Sequence, residues 1–147
     1  MSKKNNTIVD ALTERPIRFS IKTSSEERVF SLCPPCLGKL ELLSRELALL
    51  EFDEDALKKE PIKEAMRVCE LHADIACKII AIAVQNGKTE LLDEDKIAED
   101  AEWFKWNCGP SEFASIMVSI ITQSRFENFI TAIRMLQATC ALNEERN

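Results

Sequence analysis

The sequence predicts a mainly α fold of the α+β kind: an N-terminal antiparallel β-hairpin followed by a bundle of about five helices. Three observations predict it. Two short runs near the N-terminus alternate apolar and polar residues, whereas the later apolar runs repeat with a helical period. Only three glycines punctuate the 147 residues, at Gly38, Gly87 and Gly109. The five prolines all lie outside the long periodic runs. Such sparse punctuation favours long helices and short loops over a many-stranded sheet.

Residues 1–15 read as a flexible tail with room for one helical turn around Ile8, Val9 and Leu12. Residues 16–147 read as one domain without internal repeats, a length that buries roughly 68–70% of its unfolded surface without a covalent staple. The hairpin comes first. Ile17, Phe19 and Ile21 alternate with Arg18, Ser20 and Lys22, and after the polar stretch Thr23–Glu27 the alternation resumes with Phe30 and Leu32 against Val29 and Ser31. A lone hairpin is marginal in water, so its apolar face needs a surface to lie on.

The period then becomes helical. Between Pro35 and Glu51, Leu40, Leu43, Leu47 and Leu50 form a stripe that Leu37, Leu42 and Leu49 widen, and Pro34-Pro35 suits a helix start. Phe52 to Asp55 reads as a break. Pro61 opens the longest helix, to about Asn86, with Gly87 as its stop. Lys63, Arg67, Glu70, Asp74 and Lys78 mark its solvated face. Ala65, Val68, Cys69, His72, Ile75, Ala76, Ile79, Ile82 and Ala83 mark its buried one. Asp93 is the expected cap of a helix carrying Trp103, Phe104 and Trp106, and Ser111 that of the next, after the breaker Gly109-Pro110. Phe113 to Ile121 is apolar nearly all round, the pattern of an enclosed helix. Ser124 and Glu127 match a capping box for a terminal helix striped by Phe126, Phe129, Ile130, Ile133, Leu136 and Cys140.

Composition narrows the function. A net charge of −6 and a pI of about 5.0 argue against a polyanion as main ligand. Lys88 to Glu102 alone carries seven acids against two lysines. No apolar run reaches the 18 or so residues of a membrane span, and the charged N-terminus lacks the apolar stretch of a signal peptide. A reducing cytoplasm is therefore expected, with the six cysteines (33, 36, 69, 77, 108 and 140) as thiols or metal ligands.

Four chemistries were weighed against those residues. Cys33-Pro-Pro-Cys36 lies between a strand and a helix, as a redox pair does, but the βαβ units of a thioredoxin-like fold are missing downstream. Cys33, Cys36, Cys69 and His72 make a possible tetrahedral zinc set, since Cys69 and His72 share a helix face. The competing reading makes these cysteines small core residues and the histidine a hydrogen-bonded one. Asp93, Glu94 and Asp95 lack the glycine of a calcium loop, because Ala98 stands at its sixth position. With one histidine, no nucleophile elbow and no phosphate loop, no enzyme is expected. A pair of carboxylates meeting in the fold is the one catalytic alternative left open. No cofactor is expected.

The segment Ile17 to Leu50, about a quarter of the chain, carries a resemblance. Its amphipathic hairpin runs through Leu32-Cys33-Pro34-Pro35-Cys36-Leu37-Gly38 into a leucine-rich helix. This is similar to the opening of phage tail assembly chaperones, the small proteins encoded beside the tape-measure protein of long-tailed phages. In that family a threonine often precedes the Leu-Gly pair, where this chain has Cys36. The departure makes Cys36 a local variant and removes a member from the zinc set. The resemblance implies a non-enzymatic, protein-binding role in the host cytoplasm: holding a long helical partner and keeping it soluble until a tube assembles around it. The expected contact surface is Phe126, Phe129, Ile130, Ile133 and Leu136, which present a wider apolar arc than one core contact needs. The alternative is that these residues simply close the bundle. The hairpin edge is a second candidate surface.

Overall fold

The computed structural model describes residues 15–146. The expected tail, with its turn around Ile8, Val9 and Leu12, lies outside the described residues apart from Arg15. The first element is the hairpin, β1 (Ile17–Lys22) and β2 (Glu27–Leu32), antiparallel with Ile17 opposite Leu32 and Phe19 opposite Phe30. Thr23 closes its turn: its N–H donates to Glu26 O (2.8 Å), and its Oγ1 accepts from Glu26 N–H (3.0 Å). The predicted alternation holds. Ile21 and Leu32 are buried, Ile17, Phe19 and Phe30 pack on the core, and Val29 points outward.

Seven helices follow among the described residues: α1 (Leu37–Leu47), α2 (Glu54–Lys59), α3 (Pro61–Ala83), α4 (Lys88–Leu91), α5 (Glu94–Asn107), α6 (Pro110–Ser124) and α7 (Phe126–Arg146). α2 and α4 are short, so the five long helices are those expected from the periodicity. α1 starts later than Pro35: Cys36 is its extended N-cap (φ −78°, ψ 171°), and its carbonyl accepts the first helical hydrogen bond, from Leu40 N–H (3.0 Å). Leu43 is buried and Leu40, Leu42, Leu47 and Leu50 are half-buried, but Leu37 and Leu49 face solvent and do not widen the stripe. Asp53 turns the expected break into a helix start, accepting from the N–H groups of Asp55 (3.0 Å) and Ala56 (3.1 Å).

α3 is the spine, packed against α5, α1 and α2. Ile79 to Ala83 are buried all round, where the hairpin, α5 and α6 converge. Its first half is different. Ala65 and Cys69, expected inside, are exposed, and Val68, His72, Ile75 and Ala76 are half-buried. Asn86 staples the end of this spine. Its Oδ1 accepts from Cys33 N–H (3.3 Å) and Lys39 Nζ (3.3 Å), while its Nδ2 donates to Ser31 O (3.1 Å).

Asp93 caps α5 as expected, accepting from Lys96 N–H at 3.1 Å. On α5, Phe104 is fully buried with its ring 4.7 Å from that of Phe30. Trp103 donates through Nε1 to Glu26 (3.1 Å) and lies 4.4 Å beneath the Arg28 guanidinium, so the hairpin rests on this helix. α6 begins at Pro110, with Gly109 rather than Ser111 as N-cap; Gly109 N–H donates to Glu112 Oε1 at 3.2 Å. Ile116 and Ile120 are buried, yet Val118 and Ile121 are exposed, so α6 is not enclosed as its apolar sequence suggested. Gln123, itself buried, donates to Leu32 O (2.6 Å) and Arg15 O (3.3 Å), fixing the strand ends to α6.

Candidate functional site

The terminal helix stands apart from the core. Ser124 does not cap it: that side chain is buried and donates back to Ile120 O at 2.6 Å, completing α6. Arg125 then adopts the left-handed conformation (φ 52°, ψ 47°), the one positive φ among the described residues. That single residue redirects the chain, and α7 starts at once. α7 has 21 residues, about 31 Å at 1.5 Å per residue.

Among the residues expected to meet a partner, Phe126 is half-buried. Phe129 (47% exposed), Ile130 (50%), Ile133 (39%) and Leu136 (62%) face solvent. They lie along one side of the helix, with Cys140 continuing the line, also exposed. From Glu127 to Glu145 every residue of α7 is exposed. The structure therefore does not use this stripe to close the bundle. The reason lies upstream: the inner faces of α3, α5 and α6 fill the core with Ile79, Ile80, Phe104, Ile116 and Ile120.

A second apolar surface escaped the sequence reading. Ile62 (76% exposed), Met66 and Cys69 line a shallow groove on the first half of α3, edged by Glu60, Lys63, Arg67 and Glu70. Their spacing of four and three residues was a readable signal, but it merges with the buried stripe further along the same helix.

The four residues of the zinc alternative are not brought together. Cys33 and Cys36 sit near Asn86, past the C-terminal end of α3. His72 lies eleven residues before that end, about 17 Å along the axis. Its Nε2 faces Glu51 O at 2.9 Å, and its Nδ1 is buried without a partner. Among the described residues no group of three or more His, Cys, Asp or Glu side chains is placed to hold a metal ion. The two cysteines of Cys33-Pro-Pro-Cys36 are free thiols, Cys33 half-buried and Cys36 exposed.

Beside them lies a groove of about 570 Å³ lined by Cys33, Cys36, Lys39, Leu42, Lys88 and Leu91. Lys39 is only 4% exposed, against any expectation from its type, and burial pulls its ammonium below the usual lysine range. Its hydrogen bond to Asn86 accounts for its place in the structure.

The acids are engaged structurally. Asp93 caps α5, and Asp100 accepts from Gln85 Nε2 at 2.7 Å. Two carboxyl groups are held below the usual range: Glu26 by the Trp103 indole and Arg28, and Glu64, at about 2, by Arg67 and the Asp53 N–H. Neither lines a groove, and each shift has a local partner that explains it. No described helix is long and apolar enough to cross a membrane. Comparison with known proteins found no matching family model, no similar curated protein and no similar solved structure.

Proposed function

We propose that the protein is a non-enzymatic binding module that holds a long helical protein partner, in the manner of the phage tail assembly chaperones its opening resembles. The observation that carries this reading is the exposed stripe Phe129, Ile130, Ile133 and Leu136 on a helix that leaves the bundle. Such a stripe is costly to leave in water, at roughly 25 cal/mol for each Å² of apolar surface, and another apolar helix face is its natural cover. A long helical protein made ahead of its shell exposes matching seams and aggregates through them. Covering those seams one stretch at a time would keep it in solution.

The test is co-expression with a long, helix-rich protein of the tape-measure kind. The expected result is that the partner becomes soluble and co-purifies, and that Phe129→Glu abolishes this while leaving the thermal unfolding of the free chain unchanged. A partner equally soluble with the Phe129→Glu variant would show that α7 is not the contact surface.

A further inference from the structure

We infer that the groove beside Cys33 and Lys39 binds a carboxylate carried on an apolar group, with Lys39 and the first turn of α1 holding the anion. None of the residues lining this groove belongs to α7, so the site is independent of the partner-binding stripe. A buried charge, a bare helix end and the space between them support it.

An ammonium taken out of water is costly unless an anion compensates it. Lys39 is buried, yet among the described residues no carboxylate lies within ion-pair distance of its Nζ. Its one hydrogen-bond acceptor is the neutral Asn86 Oδ1, an oxygen shared with Cys33 N–H. That bond positions the side chain without neutralising it, and two of the three ammonium donors are left over. The ionisable groups that act on its charge are the thiols of Cys33 and Cys36, not acids. Both ends of the Lys39–Asn86 bond line the groove.

The helix end supplies the second half of the site. No side chain caps α1, an eleven-residue helix, and no acid stands in its first turn. Its first bonded N–H is that of Leu40, so the N–H groups of Leu37, Gly38 and Lys39 have no acceptor among the described residues. Such a turn favours an anion through both its free donors and its dipole. Cys36, Gly38 and Lys39 all border the groove. A β-carbon placed at Gly38 would meet only Cys36 Sγ, at 3.9 Å, so the turn lies open.

Shape and charge select the class of anion. The groove, at about 570 Å³, falls in the usual range of small-ligand sites, and Leu42, Leu91 and Leu92 give it an apolar wall. A bare inorganic ion would leave that wall without partner atoms, whereas an apolar body fills it. Arg45, also at the groove, is engaged by Glu41 at 2.5 Å. Lys88 is exposed at the rim. One buried ammonium and one helix end therefore match a single negative charge, which favours a carboxylate over a phosphate dianion. A peptide ending in leucine and a free branched-chain acid share this chemistry.

Nuclear magnetic resonance titration of the isotope-labelled full-length chain tests this, with acetyl-Ala-Leu, its C-terminal amide, isocaproate and inorganic phosphate as probes. Saturable shifts at the amides of Gly38, Lys39 and Leu91 are expected with an acid. The amide should bind at least tenfold or so more weakly, as loss of a charged acceptor does. Binding of the peptide acid alone supports a chain terminus as the source, and binding of isocaproate alone or of both supports a free acid. No saturable shift with either acid up to about 20 mM, well above the Kd of a weak site, overturns the inference. Shifts confined to α7 or to the Ile62 groove also overturn it, as does phosphate that displaces the acid equally well. Lys39→Met fills the same space without the charge and should lose at least tenfold or so in affinity while keeping the native urea midpoint or raising it. A folded Lys39→Met chain that binds the acid undiminished refutes the role of Lys39. The acid-against-amide comparison on the native chain decides the matter if that variant fails to fold.

Discussion

Truncating Phe104 to alanine measures how strongly the hairpin is seated on the helices. The side chain is fully buried, its ring 4.7 Å from Phe30 and 5.5 Å from Trp103, with Phe30 in turn stacked 5.3 Å from Phe19. Phe→Ala in such a setting removes the transfer energy of the ring and leaves a cavity, together about 3–5 kcal/mol. Aromatic pairing at about 0.5–1.5 kcal/mol per contact places this site in the upper part of that range. With a urea m-value of about 2 kcal/mol per molar, a loss of about 4 kcal/mol lowers the midpoint by about 2 M. The melting temperature of a chain this size should fall by about 8–16 °C. The assay is urea unfolding followed by far-ultraviolet circular dichroism and by tryptophan fluorescence. Trp106→Ala is the control: its ring is 73% exposed, and the change should stay within about 0.5 kcal/mol. A Phe104→Ala loss below about 1 kcal/mol would refute the packing of hairpin on α5, since no buried ring of this size is dispensable at that cost.

Other perturbations have equally definite outcomes. Glu64, held at about 2 by Arg67 and the Asp53 N–H, contributes stability that is complete above its unfolded value near 4.5 and is lost as pH falls toward 2. Glu64→Gln should flatten that acid limb of the stability profile, and an unchanged limb would mean the clamp does not form in solution. Arg125→Gly should be neutral or stabilising by up to about 1 kcal/mol in thermal melts, because glycine enters the left-handed region without the strain of a β-carbon. A clear loss would imply a helical rather than left-handed residue at the α6–α7 break. Thiol labelling of the native chain should modify Cys36, Cys69 and Cys140, which are exposed, well before Cys108, whose thiol burial pushes up to about 11.

Much of this architecture was legible in the chain itself, and the misreadings have local causes. The hairpin was readable because a period of two with one apolar face admits a single register, and Ile21 and Leu32 are buried accordingly. α3 and α5 were readable from period, from Pro61 as a first helical residue and from the cap Asp93. The start of α1 was misplaced because a proline pair signals a helix start as readily as it signals an extended lead-in. The spacing of Ser124 to Glu127 fits a capping box, yet its hydroxyl turns back to Ile120. The candidate surface was legible only in half. Periodicity identifies the apolar side of α7, but whether anything covers that side depends on the direction set at Arg125, which no sequence pattern announces. The same gap hid the outward-facing Ile62 and Met66, and the buried Lys39 ran against the usual behaviour of lysine.

Gln123 and Asn86 give the order of synthesis a physical consequence. The hairpin is made before the groups that fasten it, which arrive much later. Asn86 follows Cys33 by 53 residues, and Gln123 follows Leu32 by 91. At about 5–20 residues per second, several seconds pass between the appearance of Leu32 and that of Gln123. Until α3 and α5 deliver Ile79, Ile80 and Phe104, the two strands have no floor beneath Ile21 and Phe30, and a hairpin without a floor does not persist. A segment thus waits for partners made after it, and its docking follows the helices it docks on.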